Sequence, residues 1–476
     1  MTDPGRRTFL ATAAAGTASI LAGCGFLSNS PVADAGSDDW AMTRGTPGNT
    51  GASASGGPSA NASKASTLEL EDGISIGRHD PIVGADGVYA VGKDAEPYSH
   101  DPPEFALHAY RFDSSDGSVD WHRTVVEAEG GENIEAFRQP RASIGDDALY
   151  VAWLGKTDDE RDVEQLAALD PSDGSVRWKR TYEQTSGVTE PAEVDGTLYR
   201  VSQGKMQALD PSDGSISWES DQYLLYQWGH PAVGDDIVVE YGNAVPDEEG
   251  SAKVLVAFDR ESGEEVWTEE VPHAGIPEPT IDDGTVFVTE GDSFFQYGLN
   301  RPDAPERRLY AFDAEDGSER WSFTYDTDEM DDKLVAGGTS FVTVDADHAY
   351  LALGFANAHQ YLGPDAASET VEQVREELYH GPNVFALDRE SGDVAWQAQV
   401  GDQAQSVHPP IVDEDSLYVV RLDAEDEGQQ VHVLDRSDGT EKGSFGPLPE
   451  DADAAVADGA LYAHGNSEIT VWRDDD

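Results

Sequence analysis

Cysteine is nearly absent from this chain of 476 residues, which contains one copy, Cys24. A single thiol excludes intramolecular disulfides, zinc sites built from paired cysteines and redox couples between two thiols. Basic residues are also scarce, because 30 Lys and Arg stand against 94 Asp and Glu, which gives a net charge of −64. A surface of this sign repels phosphate, so we expect no nucleic acid among the partners.

The acidic residues are spread along the whole chain and form no acidic tail. Such a surface repels itself at ordinary ionic strength, whereas in molar salt the Debye length falls to about 3 Å and most of the repulsion is screened. The composition resembles that of proteins from extremely halophilic archaea, with a dedicated cation-binding protein as the alternative. Only 38% of the residues are hydrophobic, but 48 Gly, 10 Trp and 17 Tyr indicate a β-rich globular body.

The first 24 residues look like an export signal. Arg6 and Arg7 precede a run of small and apolar residues that ends in Leu21-Ala22-Gly23-Cys24. This pattern resembles a twin-arginine signal followed by a lipobox, in which Cys24 accepts a lipid. The apolar run of roughly 14 residues is too short to span a bilayer stably as a helix. We predict a signal peptide over residues 1–23 and a lipid-anchored protein on the extracellular face of the cytoplasmic membrane.

Residues 24–65 are rich in Ser, Gly, Ala and Pro and contain few large apolar side chains. Such a segment buries too little apolar surface to offset its ordering entropy, so we predict a flexible low-complexity stalk. The triplet Asn61-Ala62-Ser63 within it matches the acceptor sequence for N-glycosylation.

The rest of the chain repeats one pattern, in which an Asp is followed four residues later by Gly and eight residues later by Trp. Alternating apolar residues before the Asp indicate a strand, and Asp and Gly supply the hydrogen bonds and positive φ angle of a tight turn. The Trp offers a flat surface for packing against the next unit, so we interpret these residues as structural. The copies are Asp113, Gly117 and Trp121; Asp170, Gly174 and Trp178; Asp210, Gly214 and Trp218; Asp259, Gly263 and Trp267; Asp313, Gly317 and Trp321; Asp388, Gly392 and Trp396; and an incomplete seventh, Asp435 and Gly439, with Gly443 in place of Trp.

A second pattern alternates with the first and occurs eight times: an apolar strand, an acidic or glycine-containing turn, and a strand with an aromatic residue. Its copies begin at Pro81, Arg141, Pro191, Pro231, Pro279, Phe341, Pro410 and Ala454. Both patterns together give four antiparallel strands per unit, and eight units fill residues 66–476. Four-stranded units repeated around an axis form a β-propeller. We predict an all-β, eight-bladed propeller in which residues 67–70 supply the outer strand of the last blade and join the ends of the ring.

These repeats, with the preceding residues 39–45 (DWAMTRG), resemble the PQQ-binding-like β-propeller repeat family, named for pyrroloquinoline quinone. The resemblance covers essentially the whole mature chain. It implies the fold but no particular activity. Members of this family include quinoprotein alcohol dehydrogenases and the propeller lipoprotein of the outer-membrane β-barrel assembly machinery, which binds proteins and catalyses nothing.

The resemblance implies that a quinoprotein dehydrogenase holds its quinone against a disulfide between adjacent cysteines, with a calcium or similar ion and an Asp base. This chain cannot form that disulfide or a Cys-x-x-Cys-His haem site. It also lacks the His-Glu-x-x-His motif, and we interpret His359, His380 and His408 as solvated loop residues. We expect no catalytic residues, no metal site and no cofactor, with PQQ binding as the alternative.

Loop lengths distinguish the two faces of the predicted ring. Turns between strands one and two and between strands three and four are short, whereas the other connections are long and variable. Binding sites concentrate on elaborated loops of a rigid scaffold, so we assign function to the long-loop face. Aromatic residues in these loops offer anchors for a protein or glycan, with packing between loops as the alternative. The candidate binding residues are Tyr98, Tyr223, Tyr226, Trp228, Phe294, Phe295, Tyr297, Phe355 and Tyr361.

The longest of these loops contains a helical pattern near residues 364–381, with Ser368 as the N-cap and Gly381 as the stop. We expect this helix to lie over the propeller as a lid or a partner-binding element. The sequence as a whole predicts a cell-surface, lipid-anchored propeller that acts as a non-catalytic protein-binding or assembly scaffold. The alternatives are a quinone-dependent oxidoreductase and a surface glycan-binding module.

Overall fold

The structure is a computed structural model of the chain. The residues that it describes are 40–76, 81–85, 87–94, 105–128, 140–156, 162–182, 188–222, 224–225, 230–244, 253–271, 278–290, 308–324, 341–353, 381–401, 408–422, 428–449 and 452–475.

Within these ranges the chain forms 34 β-strands. The first seventeen are β1 (Ser63–Glu69), β2 (Ile74–Ile76), β3 (Ile82–Gly84), β4 (Gly87–Asp94), β5 (Phe105–Phe112), β6 (Val119–Ala128), β7 (Arg141–Ile144), β8 (Leu149–Lys156), β9 (Asp162–Leu169), β10 (Val176–Tyr182), β11 (Ala192–Val194), β12 (Thr197–Ser202), β13 (Lys205–Leu209), β14 (Ile216–Glu219), β15 (Leu224–Leu225), β16 (Ala232–Val233) and β17 (Ile237–Ala244). The remainder are β18 (Lys253–Asp259), β19 (Glu265–Glu270), β20 (Thr280–Asp282), β21 (Thr285–Glu290), β22 (Arg308–Asp313), β23 (Glu319–Thr324), β24 (Thr343–Val344), β25 (His348–Ala352), β26 (Val384–Asp388), β27 (Val394–Ala398), β28 (Ile411–Val412), β29 (Ser416–Leu422), β30 (Gln429–Asp435), β31 (Glu441–Leu448), β32 (Asp453–Ala457), β33 (Ala460–His464) and β34 (Glu468–Arg473).

These strands form eight antiparallel sheets, the blades of a propeller. Blades 1 to 7 follow the chain as β2–β6, β7–β10, β11–β14, β15–β19, β20–β23, β24–β27 and β28–β31. Among the innermost strands, β16 contacts β20, β20 contacts β24 and β24 contacts β28, and β3 contacts both β7 and β32, so blade 8 lies beside blade 1 and the ring closes. The predicted all-β, eight-bladed propeller of four-stranded antiparallel blades is confirmed. Blades 1 and 4 add a short fifth strand, because the long strands β4 and β17 have room for two partners on one edge.

The eighth blade joins two distant parts of the chain. Strands β32, β33 and β34 come from its end, and β1 completes the sheet from a position before blade 1. β1 pairs antiparallel with β34, so that Thr67 lies opposite Thr470 and Leu68 opposite Ile469. The predicted closure of the ring by residues 67–70 is therefore confirmed. The backbone N–H of Leu70 extends this contact by donating to the carbonyl of Ser467 at 3.1 Å.

Each repeated Trp lies against the turn glycine of the next blade. The pair Trp267 and Gly317 shows why glycine is needed: its φ is +75°, and a Cβ at this position would lie 2.8 Å from the indole. A side chain would be both strained and in collision. The equivalent contacts are Trp121 with Gly174, Trp178 with Gly214, Trp218 with Gly263, Trp321 with Gly392 and Trp396 with Gly439.

The Asp that opens each of these turns satisfies the turn's own backbone. In blade 2 the Oδ1 atom of Asp170 accepts hydrogen bonds from the backbone N–H and the hydroxyl of Ser172, at 2.9 and 2.5 Å. The carbonyl of Asp170 accepts the N–H of Gly174 at 2.8 Å. The Ser172 hydroxyl and N–H, together with the Arg177 guanidinium, lower the pKa of Asp170 to about 2. Many polar groups of these short turns are therefore hydrogen-bonded to other groups of the same turn.

Residues 40–57 follow the innermost strands around the ring. Their backbone bonds to each blade in turn: Trp40 with Val83, Ala41 with Ile144, Pro47 with Val233, Gly48 with Ile281, Thr50 with Val344, Gly51 and Ser53 with Val412, and Gly56 with Gly459. Blade 3 is reached through the carboxylate of Glu190, which accepts the N–H of Thr43 at 2.7 Å. The predicted flexible stalk over residues 24–65 does not describe this part of the chain. The inner edges of the blades offer backbone N–H groups, and bonding to them compensates for the lack of apolar side chains.

The remaining sequence predictions on organisation fall outside the described residues. These are the signal peptide, residues 24–39 of the stalk and the helical insertion near residues 364–381. In the described ranges, the structure contains no helix of sufficient length and hydrophobicity to cross a bilayer.

Candidate functional site in the central channel

A cavity of about 180 Å³ lies in the central channel, the space enclosed by the innermost strands. Trp40, Thr43, Arg44 and Gly51 of the inserted segment form part of its wall. The other lining residues come from six blades and are Arg141, His230, Glu278, Phe341, His408, Pro409, Pro410, Ile411, Val420, Asp453 and Ala454. The cavity therefore combines aromatic and aliphatic surface with charges of both signs.

The position of the cavity follows from how the innermost strands begin. His230, Glu278 and His408 each stand directly before a proline and two or three residues before an innermost strand. Proline fixes φ and donates no backbone hydrogen bond, which suits the first residues of a strand. The long connections from one blade to the next arrive at the same points. The cavity thus lies at the end of the ring that carries the long connections.

On one wall, His230 forms a buried ion pair. Its Nε2 lies 3.1 Å from the Oε2 atom of Glu278, and its Nδ1 lies 4.0 Å from the Oε2 atom of Glu190. Burial by itself would lower the pKa of His230, but the Glu278 carboxylate outweighs it and raises the pKa. Burial would likewise raise the pKa of Glu278, yet His230 lowers it below its usual value. The raised pKa of His230 and the lowered pKa of Glu278 both favour the charged forms, imidazolium and carboxylate.

Glu240 lies behind this pair on β17 and is 2% exposed. Burial raises its pKa to about 8, although the His230 imidazole opposes the shift. Its Oε2 atom has no hydrogen-bond partner among the described residues. Near neutral pH this carboxyl group is therefore predominantly protonated, because the cost of burying its charge exceeds what the backbone hydrogen bond from Tyr241 and the nearby His230 recover.

The opposite wall carries a second histidine–carboxylate group. The Oδ1 atom of Asp453 lies 3.0 Å from Nδ1 of His408, and its Oδ2 atom lies 3.6 Å from Nε2 of His464. Gln429 connects this group to the backbone, because its Nε2 lies 3.3 Å from Nε2 of His408 and its Oε1 accepts the N–H of Ala452. The contact with Asp453 fixes the orientation of the His408 ring.

Arg44 ties the inserted segment to blade 6. Its guanidinium donates to the carbonyl oxygens of Asn49 and Val342 and lies 5.4 Å from the centre of the Phe341 ring. Arg44 and Asn49 both have positive φ angles, +68° and +60°. Residues other than glycine adopt this conformation at a cost of about 1–2 kcal/mol each. The buried hydrogen bonds of the segment offset this strain.

These positions differ from most of the sequence predictions. The candidate binding residues lie outside the described side chains: Tyr98, Tyr223, Tyr226, Trp228, Phe294, Phe295, Tyr297, Phe355 and Tyr361. Cys24, Arg6 and Arg7 also lie outside the described residues. The tryptophans Trp121, Trp178, Trp218, Trp267, Trp321 and Trp396 lie between blades, away from the cavity. His408 departs from its interpretation as a solvated loop residue, because its side chain is 20% exposed and contacts Asp453.

Sequence reasoning overlooked Glu190, His230 and Glu278. A signal for them exists, since a titratable residue precedes proline at the start of the innermost strand in blades 3, 4, 5 and 7. In a chain with 94 acidic residues, however, two more glutamates do not stand out.

The described part of the chain contains one group of three side chains whose ligand atoms lie within 4.8 Å of one another, Asp345, Asp347 and His348. It lies on the short-turn face of blade 6. The Arg436 guanidinium contacts Asp345 at 2.6 Å and Asp347 at 3.4 Å. The arginine already provides the positive charge at this turn, so we assign no metal to it.

The fold and its repeats define the protein as an eight-bladed propeller of the PQQ-repeat class. A family profile matches residues 108–254, 251–360 and 363–473, and the family is described as outer membrane protein assembly factor BamB. The chain belongs to this family. No protein in the curated set matches it significantly.

Solved structures with the same fold share little sequence with this chain. Quinohemoprotein alcohol dehydrogenase from Pseudomonas putida is 11% identical, with a TM-score of 0.57, and the match covers 93% of this chain and 81% of that one. The quinohemoprotein alcohol dehydrogenase from Comamonas testosteroni is 10% identical, with a TM-score of 0.55 and coverage of 93% and 82%. BamB from Moraxella catarrhalis is 17% identical, with a TM-score of 0.47 and coverage of 87% and 98%. These likenesses concern the fold alone.

The channel residues do not fit the quinone site that the resemblance implies for the dehydrogenases. That site needs a disulfide between adjacent cysteines, and this chain has one cysteine. The two carboxylates that line the cavity, Glu278 and Asp453, each contact a histidine at 3.1 and 3.0 Å. Because each carboxylate is already paired with a histidine, neither is available to coordinate a cation beside a quinone. We therefore derive no quinone chemistry from this cavity.

Proposed function

We propose that this protein is an exported propeller, anchored by a lipid on Cys24 to the extracellular face of the cytoplasmic membrane, that binds another protein as a non-catalytic assembly scaffold. The composition supports a halophilic archaeal source, and the sequence of the first 24 residues supports export and lipidation. Membership in the BamB family supports a scaffold role.

The observation that carries the proposal is the difference between the two faces of the ring. On the short-turn face, Asp side chains and glycines close each turn with internal hydrogen bonds, as at Asp170 and Gly174. On the other face the chain has long connections, and there the cavity presents histidine–carboxylate groups beside apolar residues. A rigid ring that carries elaborated loops on one face suits recognition of a large partner. The cavity is large enough for one side chain or a small polar group of that partner.

Site-specific cross-linking tests which face binds. Single cysteines are introduced at Trp228 or Tyr361 on the long-loop face of a C24S protein and labelled with a photoreactive maleimide. The labelled proteins are added in molar salt to membranes of the source organism and irradiated. We expect both W228C and Y361C to yield a cross-linked product containing the same partner protein.

Matched controls carry the label on the opposite face, at the exposed turn residues Glu261 and Glu390. We expect E261C and E390C to yield little of this product. Equal cross-linking from all four positions, or a product from the control positions alone, contradicts the assignment of the face. Recovery of a cross-linked glycan instead of a protein would favour the glycan-binding alternative.

Detergent phase separation tests the anchor independently. The wild-type protein should enter the detergent-rich phase after expression in its source organism, whereas the C24S protein should enter the aqueous phase. If both proteins partition alike, Cys24 does not carry a lipid.

A further inference from the structure

The joint between blade 8 and blade 1, where the ring closes, lacks the indole that covers the turn glycine at six other joints. The turn glycine of blade 1, Gly117, faces Leu68 of β1, and a Cβ on Gly117 would lie 3.0 Å from the Cδ2 atom of Leu68. Leucine provides no equivalent of the indole N–H that bonds to the next turn. We therefore looked at this joint for a contact that takes the place of the missing indole.

Two histidines of blade 1 lie at this joint. Nδ1 of His108 on β5 is 3.0 Å from Nε2 of His122 on β6. The outer ring nitrogens face carboxylates: Nε2 of His108 is 3.2 Å from Asp94, and Nδ1 of His122 is 3.2 Å from Glu71. Glu71 belongs to the segment between β1, which completes blade 8, and β2 of blade 1. The row of four side chains thus connects the two blades that close the ring.

The rings are held in place by packing. Tyr110 stacks on His122 with its ring centre 4.3 Å away and an angle of 2° between the planes. Tyr110 is 1% exposed and belongs to the hydrophobic cluster that contains Leu68, Ile74 and Trp472. His108 is itself 8% exposed. The packing therefore fixes both imidazoles, with His108 buried and the side chain of His122 still 23% exposed.

With both histidines neutral, the row has one hydrogen-bond donor fewer than it has contacts. Carboxylate oxygens and unprotonated ring nitrogens are acceptors. Each of the three contacts therefore needs either an N–H proton or a metal ion between its two acceptor atoms. Two neutral histidines carry only two N–H protons. If these protons face Asp94 and Glu71, the contact between His108 and His122 joins two lone pairs and is unfavourable without a cation.

We propose that a divalent transition-metal ion of the zinc type binds between Nδ1 of His108 and Nε2 of His122 and fastens the closure of the ring. Zinc–nitrogen bonds of about 2.0–2.1 Å at a tetrahedral angle place two nitrogens roughly 3.3 Å apart. The observed separation of 3.0 Å is close to this value. Histidines that bind metals characteristically donate their other N–H to a carboxylate, the role that Asp94 and Glu71 would have here. Water would complete the coordination. The proposal revises our sequence-based expectation of no metal site.

Equilibrium dialysis with Zn²⁺ tests this site. The whole protein is dialysed in molar KCl with excess Mg²⁺, which occupies the many surface carboxylates without competing for imidazole. We expect one tightly held Zn²⁺ per chain and a rise in the melting temperature on zinc addition. H108Q and H122Q should each lose both effects. E71Q should keep the site but weaken zinc binding by about 10- to 100-fold.

The control is His432 of blade 7, whose Nδ1 contacts a carboxylate, that of Glu441, at 2.8 Å. We expect H432Q to retain wild-type zinc binding and the zinc-dependent rise in melting temperature. Equal zinc retention by H122Q and H432Q would overturn the proposal. So would a wild-type protein that retains no stoichiometric zinc and takes up only a proton at the His108–His122 pair. Should H122Q fail to fold, E71Q provides the same comparison with both histidines intact.

Discussion

The indole Nε1 of Trp267 donates a hydrogen bond to the carbonyl oxygen of Ala314 at 2.9 Å, across the boundary between blades 4 and 5. Ala314 belongs to the turn that contains Gly317, on which the same indole lies. One side chain therefore both bonds to and packs against the turn of the next blade. Five other tryptophans repeat this arrangement, for example Trp321 with the carbonyl of Arg389 at 2.9 Å.

Replacing Trp267 with alanine removes a side chain that is only 6% exposed. We expect the free energy of unfolding to fall by about 3–5 kcal/mol, because large-to-small changes at buried positions lose packing and leave a cavity. Chemical denaturation in molar salt measures the loss. The neighbouring Val266 is 44% exposed, so V266A is the control and should change stability by no more than about 0.5 kcal/mol. Similar small losses in both variants would show that the indole does not hold the blades together.

Two glycines separate backbone strain from collision with the indole. Gly317 and Gly196 have φ angles of +75° and +70°, but only a Cβ on Gly317 would meet the Trp267 ring. G196A should lose only the cost of a left-handed alanine, about 1–2 kcal/mol. G317A should lose more, because Trp267 must move. Thermal unfolding of the two variants gives the comparison, and equal losses would contradict the packing account.

Glu240 makes stability depend on pH. In the unfolded chain a glutamate titrates near pH 4.3, whereas in the folded protein burial raises the pKa of Glu240 to about 8. Between these pH values the folded state binds a proton that the unfolded state lacks, so this contribution is complete below about pH 4 and is lost as the pH rises to 8. E240Q keeps the neutral shape and avoids the loss.

The stability of E240Q relative to wild type should therefore increase from pH 5 to pH 8, by at most about 1.4 kcal/mol per pH unit. Denaturation curves at several pH values in molar salt measure this difference. The exposed Glu264 is the control, and E264Q should show a difference from wild type that does not grow over this range. A constant difference for E240Q would mean that Glu240 is ionised in the folded protein.

The inserted segment 40–57 should stay bound after the chain is cut. A protease site inserted between Ala60 and Asn61, where Ser59 and Asn61 are exposed, allows cleavage of the folded protein. Because the segment bonds to every blade, we expect the N-terminal piece to co-elute with the ring in gel filtration. R44A, which loses the bonds to Asn49 and Val342, should release the piece at a lower denaturant concentration. A cut protein that sheds the piece while the ring stays folded would show that the insertion contributes little.

The fold could be predicted because its determinants repeat. Asp259, Gly263 and Trp267 stand at the same spacing as five other triplets, and this repetition indicates blades even at low hydrophobicity. Pairing of β1 with β34 followed from the missing outer strand of the last unit. Both features can be read from the sequence, because they depend on residues at fixed local spacings and on the number of strands in each repeat.

The central channel could not be predicted in the same way. Residues 40–57 are rich in glycine and small polar residues, a composition typical of linkers, and what orders them is the backbone of other blades. Likewise, His230 and Glu278 are 48 residues apart in the chain and form an ion pair between two blades. The proline that follows each of them marks the start of a strand but does not indicate that the side chain before it is buried. Sites assembled from the starts of several innermost strands become visible only once the ring is built.

The propeller is a single closed ring, and a disulfide between β1 and β34 tests this closure most directly. Thr67 lies opposite Thr470, and paired residues of antiparallel strands have Cα atoms about 4.5–5.5 Å apart, within the range that a disulfide spans. In a C24S background, T67C/T470C should oxidise readily within the folded monomer, whereas T67C/T268C, with its second cysteine on the outer strand of blade 4, should remain reduced. Failure of the first pair to cross-link, or equal cross-linking of both pairs, would contradict the closed eight-bladed ring.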